Sequence, residues 1–208
     1  MNQSYSFLQR TANFISILFN PLIIPTLGTI LVFRSGGLFS LWPLGIVTWT
    51  VLIVSLGTLW LPLVILQLLK YMQFIPDLQL ENLEDRRIPY TLVLVSYLIT
   101  YYCLRQLPVP EAVSNMVISA SVALGVNIIF LFFWKISSHA IGVGGLVALV
   151  LVLFLRWHAT HFTILNMAIL IAGLVCWARL WLMVHTVRQV YAGFATGFLI
   201  TFLILIAY

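Results

Sequence analysis

Seven charge-free apolar runs, each bounded by polar residues, leave this chain one kind of fold. They lie at 11–33, 43–69, 90–104, 112–134, 140–155, 163–178 and 190–208. A helix needs roughly 17–25 apolar residues to cross the hydrocarbon of a bilayer. Backbone polar groups in lipid must bond within their own segment, so the runs predict helices rather than loops or open strands. The expected architecture is all-α: a polytopic transmembrane helical bundle of six or seven spans, forming one integral-membrane domain over 1–208. Seven is the direct count, and six with a re-entrant piece is the alternative. The runs 90–104 and 140–155 are short and need their flanks to complete a crossing. Pro21, Pro25, Pro43 and Pro62 predict kinks or breaks in the first two runs.

Composition excludes the other classes. Only 7% of residues are charged, against roughly 25% in a soluble domain. Cys103 and Cys176 both fall in apolar runs, where a small core residue is the simpler expectation than a disulfide or metal pair. The formal charge is +5, but the basic residues are scattered singly and form no stripe for a nucleic acid. The apolar run after the polar N-terminus lacks a convincing cleavage site and is expected to be retained as a span rather than removed as a signal peptide.

The polar residues carry more information than the spans. With seven crossings, one face of the bundle receives the N-terminus, 70–89, 135–139 and 185–189. The other receives 34–42, 105–111 and 156–162. Asp77, Glu81, Glu84, Asp85, Lys70, Arg86, Arg87, Lys135, Arg179 and Arg188 all fall on the first face, beside His139 and His185. Three polar knots distant in sequence therefore converge on one side. That face holds seven Lys/Arg against three on the other, so the positive-inside rule by itself places it in the cytoplasm. Without Arg87, Lys135, Arg179 and Arg188, which a ligand could claim, the rule decides nothing.

Each knot has a structural and a chemical interpretation. The first, Leu80 to Tyr90, is either an interfacial loop with self-paired charges or a rim that presents Arg87 or Arg86 to a phosphate, which a guanidinium grips bidentately. In the second, Lys135-Ile136-Ser137-Ser138-His139 opens a glycine-rich helix at Gly142, Gly144 and Gly145. Its N-terminus offers free N–H groups and a positive dipole end to an anion. Ser138 could equally be a simple N-cap, and the glycines could serve close helix packing. His139, ionisable at the membrane boundary, points to function. In the third knot, Arg179 precedes His185 and Gln189, which share a helix face one turn apart. Gln189 could then fix the His185 tautomer and free the other ring nitrogen as a nucleophile. Gly193 and Gly197 form a small-xxx-small pair. His158 and His161 lie on the opposite face without a carboxylate or thiol and are taken as interfacial. No metal, Walker or dinucleotide signature is present.

These knots resemble the motifs of the integral-membrane type 2 phosphatidic acid phosphatase (PAP2) superfamily, over about 80–208. That family carries Lys-x6-Arg-Pro, then Pro-Ser-Gly-His, then Ser-Arg-x5-His-x3-Asp. Here Ser138-His139 matches part of the second motif. Arg179-x5-His185 keeps the spacing of the third, with Ala178 in place of Ser and Gln189 in place of Asp. Arg87 best matches the first-motif Arg, with Ile88 intruding before Pro89; the first-motif Lys has no counterpart at the expected distance, and Lys135, beside the second motif, could supply its charge.

The resemblance implies a metal-independent phosphatase that needs no cofactor and acts on a lipid phosphomonoester or diphosphate. Polyprenyl diphosphate, a phosphatidate-like lipid and a lipid A phosphate are all admissible. His185 would form a phosphohistidine, with Gln189 beside it, and His139 would protonate the leaving oxygen. Arg179, Arg87, Ser138, Lys135 and Arg188 would hold the phosphate. The partners implied are a lipid phosphate substrate and the bilayer, with no nucleic acid. The location implied is the cytoplasmic (inner) membrane, multi-pass, with the active face outward. The replacement of Asp by Gln189 removes a negative charge that Glu84 or Asp85 could restore. It also opens the alternative of a catalytically impaired lipid-binding or assembly subunit. A transporter would need a polar track to the other face, which the charge-free runs do not provide.

Overall fold

The computed structural model describes residues 3–76, 83–159 and 161–207, and these contain helices and no strand. Asp77, and Leu80, Glu81 and Asn82 of the first knot, lie outside the described residues.

The first apolar run is not one helix. Asn20 precedes Pro21, a position that disfavours helical backbone, and the Asn20 side chain accepts the Leu22 N–H at 3.0 Å. The Asn20 carbonyl accepts the Ile23 N–H at 2.9 Å. This turn divides the run into α1 (Gln3–Leu18) and α2 (Ile24–Arg34), with Pro25 accommodated in the first turn of α2. At 1.5 Å per residue they extend about 24 and 16 Å, short of the ~30 Å hydrocarbon core. The count of seven continuous spans is thus corrected to a broken first segment followed by six long helices.

Those six are α3 (Leu44–Tyr71), α4 (Leu83–Arg105), α5 (Glu111–Phe130), α6 (Ser138–Leu155), α7 (Phe162–Trp181) and α8 (Val187–Ala207). All six are long and apolar enough to cross a membrane. The short runs recruited their flanks: α4 begins before Tyr90 and α6 at Ser138. Pro43 sits at the N-cap of α3. Pro62 leaves α3 unbroken, because a π turn at Leu56–Trp60 lies just ahead of it and takes up the local change in hydrogen bonding. Trp49, Leu170 and Leu203 are among the large apolar side chains left exposed around the bundle. A bilayer solvent accepts such a surface and water does not.

α6 is the hub. It packs on α2, α5, α7 and α8 and buries Val143, Leu146, Leu149, Val150 and Leu153. Its closest neighbour is α8, which runs parallel to it along a seam of glycines. A Cβ at Gly197 would overlap the Ile141 carbonyl, and one at Gly144 would overlap the Phe194 carbonyl. At Gly193 it would stand 2.6 Å from the Ser137 carbonyl. Small residues let helix backbones approach where lipid supplies no hydrophobic drive for association. α1 remains peripheral. It packs on α7 with Ala12 and Ser16 buried, while Phe7, Phe14 and Leu18 stay exposed.

Gly197→Ala should force the two backbones apart and destabilise the protein by about 1–3 kcal/mol. Gly173→Ala, with nothing within 4 Å of its added methyl, should be neutral. Unfolding by SDS titration of both variants checks the contrast.

Candidate functional site

Two helix N-termini are set side by side at one end of the glycine seam. α6 starts at Ser138 because Ser137 caps it, its hydroxyl accepting the Ala140 N–H at 3.4 Å. α8 starts after a reciprocal capping box of the Thr-x-x-Gln type. Thr186 Oγ1 accepts the Gln189 N–H at 3.4 Å, and Gln189 Oε1 accepts the Thr186 N–H at 3.0 Å. The Ser137 N–H donates to the Gln189 carbonyl at 3.2 Å, tying the two starts together. His139 and His185 are carried in on these adjacent ends, where both helix dipoles present their positive poles.

A cavity of about 230 Å³ opens beside them, and Arg86, His139, Arg179 and His185 all line it. Tyr90, Asn127 and Ser138 line it as well. Ser138 is not the cap. Its hydroxyl pairs with the Tyr90 hydroxyl at 2.9 Å and accepts from Asn127 Nδ2 at 3.0 Å. Ser16, at the end of α1, ties two site residues at once. Its hydroxyl accepts from Arg179 at 2.8 Å, and its carbonyl lies 3.1 Å from His139 Nε2. A carbonyl only accepts, so His139 carries its proton on Nε2 and leaves Nδ1 unprotonated in the neutral ring.

The site is cationic. The Arg179 and Arg86 charges act on both imidazoles, and the Lys135 charge acts on His185. No carboxylate is among the described residues that line the cavity. His185 is 7% exposed. Burial first, then the Arg179, Lys135 and Arg86 charges, push its pKa from 6.5 down to about 3, against a weaker opposing hydrogen-bond contribution from Gln189. At neutral pH the ring is therefore uncharged. Among the described residues its buried Nδ1 has no hydrogen-bond partner.

The sequence-predicted residues separate into two groups. His139, Ser138, Arg179 and His185 meet at the cavity. Of the two arginines weighed in the first knot, Arg86 lines the cavity and is buried, whereas the Arg87 guanidinium sits over the Phe132 ring, 4.7 Å from its centroid. Arg188 is exposed and does not line the cavity. Lys135 is half-buried and acts on His185 by its charge. Gln189 spends its carbonyl on the α8 cap. Glu84 and Asp85 do not line the cavity. His158 and His161 are exposed near the ends of α6 and α7 that lie away from the site. Among the described residues no group of three His, Cys, Asp or Glu is placed to hold a metal.

Ser16, Tyr90 and Asn127 were not picked out from sequence. Thr186-x-x-Gln189 carried a legible capping signal. Ser16 had none, because nothing local pairs it with residues more than 120 positions away.

Arg86→Ala should weaken binding of inorganic phosphate at least tenfold, about 1.4 kcal/mol, while Arg87→Ala should leave it within about twofold; calorimetry on the purified protein separates them. His185 also makes stability pH-dependent. Its folded pKa lies below the unfolded value, so the unfolded state binds the extra proton between pH 6.5 and about 3. Stability is lost as pH falls through that window, at up to ~1.4 kcal/mol per unit. Thermal unfolding in neutral detergent should show this slope, and His185→Ala should reduce it by up to that amount. Neither a family model, nor a curated protein, nor a solved structure matches this chain, so the functional interpretation rests on its own residues.

Proposed function

We propose that the protein is a metal-independent lipid phosphatase of PAP2 type, hydrolysing a lipid phosphomonoester or diphosphate through a phosphohistidine. The observation that carries this is the meeting of two imidazoles and two guanidiniums at one cavity at the membrane boundary. The arginines would hold the phosphoryl oxygens, as planar donors suited to them, and the paired helix N-termini would add to the field.

In the first step the neutral His185 Nε2 attacks phosphorus, and the bond to the lipid oxygen breaks. A bound phosphate offsets the Arg179 and Arg86 charges, so that His139 takes up a proton on Nδ1 and gives it to that departing oxygen. In the second step water attacks the phosphorus–nitrogen bond, His139 takes the proton of the water, and His185 leaves as free imidazole. The uncharged state of His185 supports the first step, because only the unprotonated nitrogen is nucleophilic. Delivery of the substrate from the bilayer, with its headgroup in the cationic pocket, fits a site sunk at the end of an apolar bundle. On the PAP2 plan the site faces outward from the cytoplasmic membrane.

One observation favours a second reading, a lipid-phosphate-binding subunit that does not hydrolyse. Gln189 Oε1 is engaged with Thr186, and among the described residues His185 Nδ1 has no partner, so an amide stands where the family's carboxylate would steady the imidazolium formed on attack. In a serine-protease triad, exchanging that carboxylate for an amide costs about 10⁴ in rate.

Phosphate release from a panel of lipid phosphates tests both. The wild type should turn over, His185→Ala should fall by roughly 10³-fold or more, and Gln189→Asp should raise turnover about tenfold or more. A silent wild type, equal to His185→Ala while lipid phosphate still co-purifies, makes the chain a binding subunit.

A further inference from the structure

The turn at Asn20-Pro21 strips one carbonyl of α1 of its helical partner. In a continuing helix the Asn20 N–H would bond to Ser16; here it goes to the Ile17 carbonyl at 3.3 Å, while the Phe19 N–H bonds normally to Ile15 at 3.0 Å. The last carbonyls of a helix need partners from outside it. Ser16 is only 7% exposed, so water is a poor substitute. Its carbonyl finds its partner in the site, 3.1 Å from His139 Nε2.

The same residue holds a second group, its hydroxyl accepting from Arg179 Nη1 at 2.8 Å. One residue of α1 therefore grips an imidazole carried by α6 and a guanidinium carried by α7. The carbonyl end of α1 is also the negative pole of its dipole, which suits nearby cations. No carboxylate among the described lining residues fills that part.

A carbonyl accepts and cannot donate, so Nε2 of His139 keeps its hydrogen whether the ring is neutral or protonated. The proton that comes and goes is then the one on Nδ1. With the ring tethered through Nε2, neither a tautomer change nor a ring flip separates giving that proton from taking one back.

We propose that Ser16 is a positioning residue: its freed carbonyl orients His139 to deliver the Nδ1 proton to the departing lipid oxygen, and its hydroxyl sets Arg179 beside the phosphate. The inference rests on the phosphatase reading for the destination of the proton. In that step the bond from His185 to phosphorus forms, and the bond from phosphorus to the lipid oxygen breaks with its electron pair on oxygen. The Nδ1 proton of His139 neutralises that oxygen. Ser16 touches none of the reacting atoms, and α1 becomes part of the reaction's geometry although it lies at the edge of the bundle.

Two esters separate proton delivery from every other contribution. The alkoxide of dodecyl phosphate must be protonated as it leaves, whereas the phenolate of para-nitrophenyl phosphate leaves unaided. Release of the alcohol or phenol, followed with protein in excess over ester, reads the first step alone. Ala12 is fully buried on α1, which packs on α7, and Ala12→Phe lifts α1 away. This variant should slow dodecyl phosphate by about tenfold or more beyond any effect on para-nitrophenyl phosphate, and continued binding of inorganic phosphate reports that it is folded. Ser16→Ala removes the hydroxyl and keeps the carbonyl; it should slow both esters alike, by about fivefold, and Ser16→Thr should restore both. In the unmodified protein, nitrogen NMR of isotope-labelled histidine, assigned with His139→Gln, should place the hydrogen of the neutral His139 ring on Nε2. That measurement decides even where Ala12→Phe does not fold. Equal slowing of the two esters in folded Ala12→Phe, no slowing of either, or a neutral His139 with its hydrogen on Nδ1 overturns the positioning role and leaves the phosphatase reading intact. An unmodified protein that releases nothing from either ester overturns both.

Discussion

The close approach of α6 and α8 sets everything else in this bundle. With glycine at 144, 193 and 197, the two backbones touch where side chains would normally hold them apart. Two helix starts separated by about 50 residues in sequence then become neighbours. His139 and His185 inherit that proximity from backbone geometry rather than from any bond between them. A side chain at Gly193 would strike Ser137, the residue that caps α6 and receives α8, so the seam and the site are one construction.

The electrostatics follow from the same placement. Bringing cations and imidazoles together at a partly buried mouth, with no carboxylate among the described lining residues, surrounds both imidazoles with positive charge. Like charges disfavour protonation of a nearby imidazole, and burial adds to this. His185 is consequently a neutral base in a positive field. An anion entering the pocket relieves the repulsion, and its charge is worth more there than in bulk water.

Much of this was legible in the chain before any coordinates. The long apolar runs dictated the six spans, and the parity of crossings put the knots around His139 and His185 on one side. What was not legible followed from local turn chemistry and from long-range packing. The first run reads as a span by hydropathy, but Asn20-Pro21 turns the backbone inside it. Between Arg86 and Arg87, adjacent in sequence, only the rotation of α4 decides which faces the cavity and which lies over Phe132. Gln189 acts on the His185 imidazole by a side-chain hydrogen bond, as expected, and its position three residues after Thr186 also makes it the partner of that residue in a capping box. The Ser16 contacts belong to no sequence pattern at all.

Ser16 has one more consequence. It joins His139 and Arg179 to a peripheral helix, and its partner Arg179 lies 163 positions further along the chain. In synthesis from the N-terminus, α1 emerges before α7, the helix it packs on, and α8 must still close over α6. The pocket is therefore completed only once α7 and α8 have been made, and a chain translated short of them carries His139 without the surroundings that would give it a task.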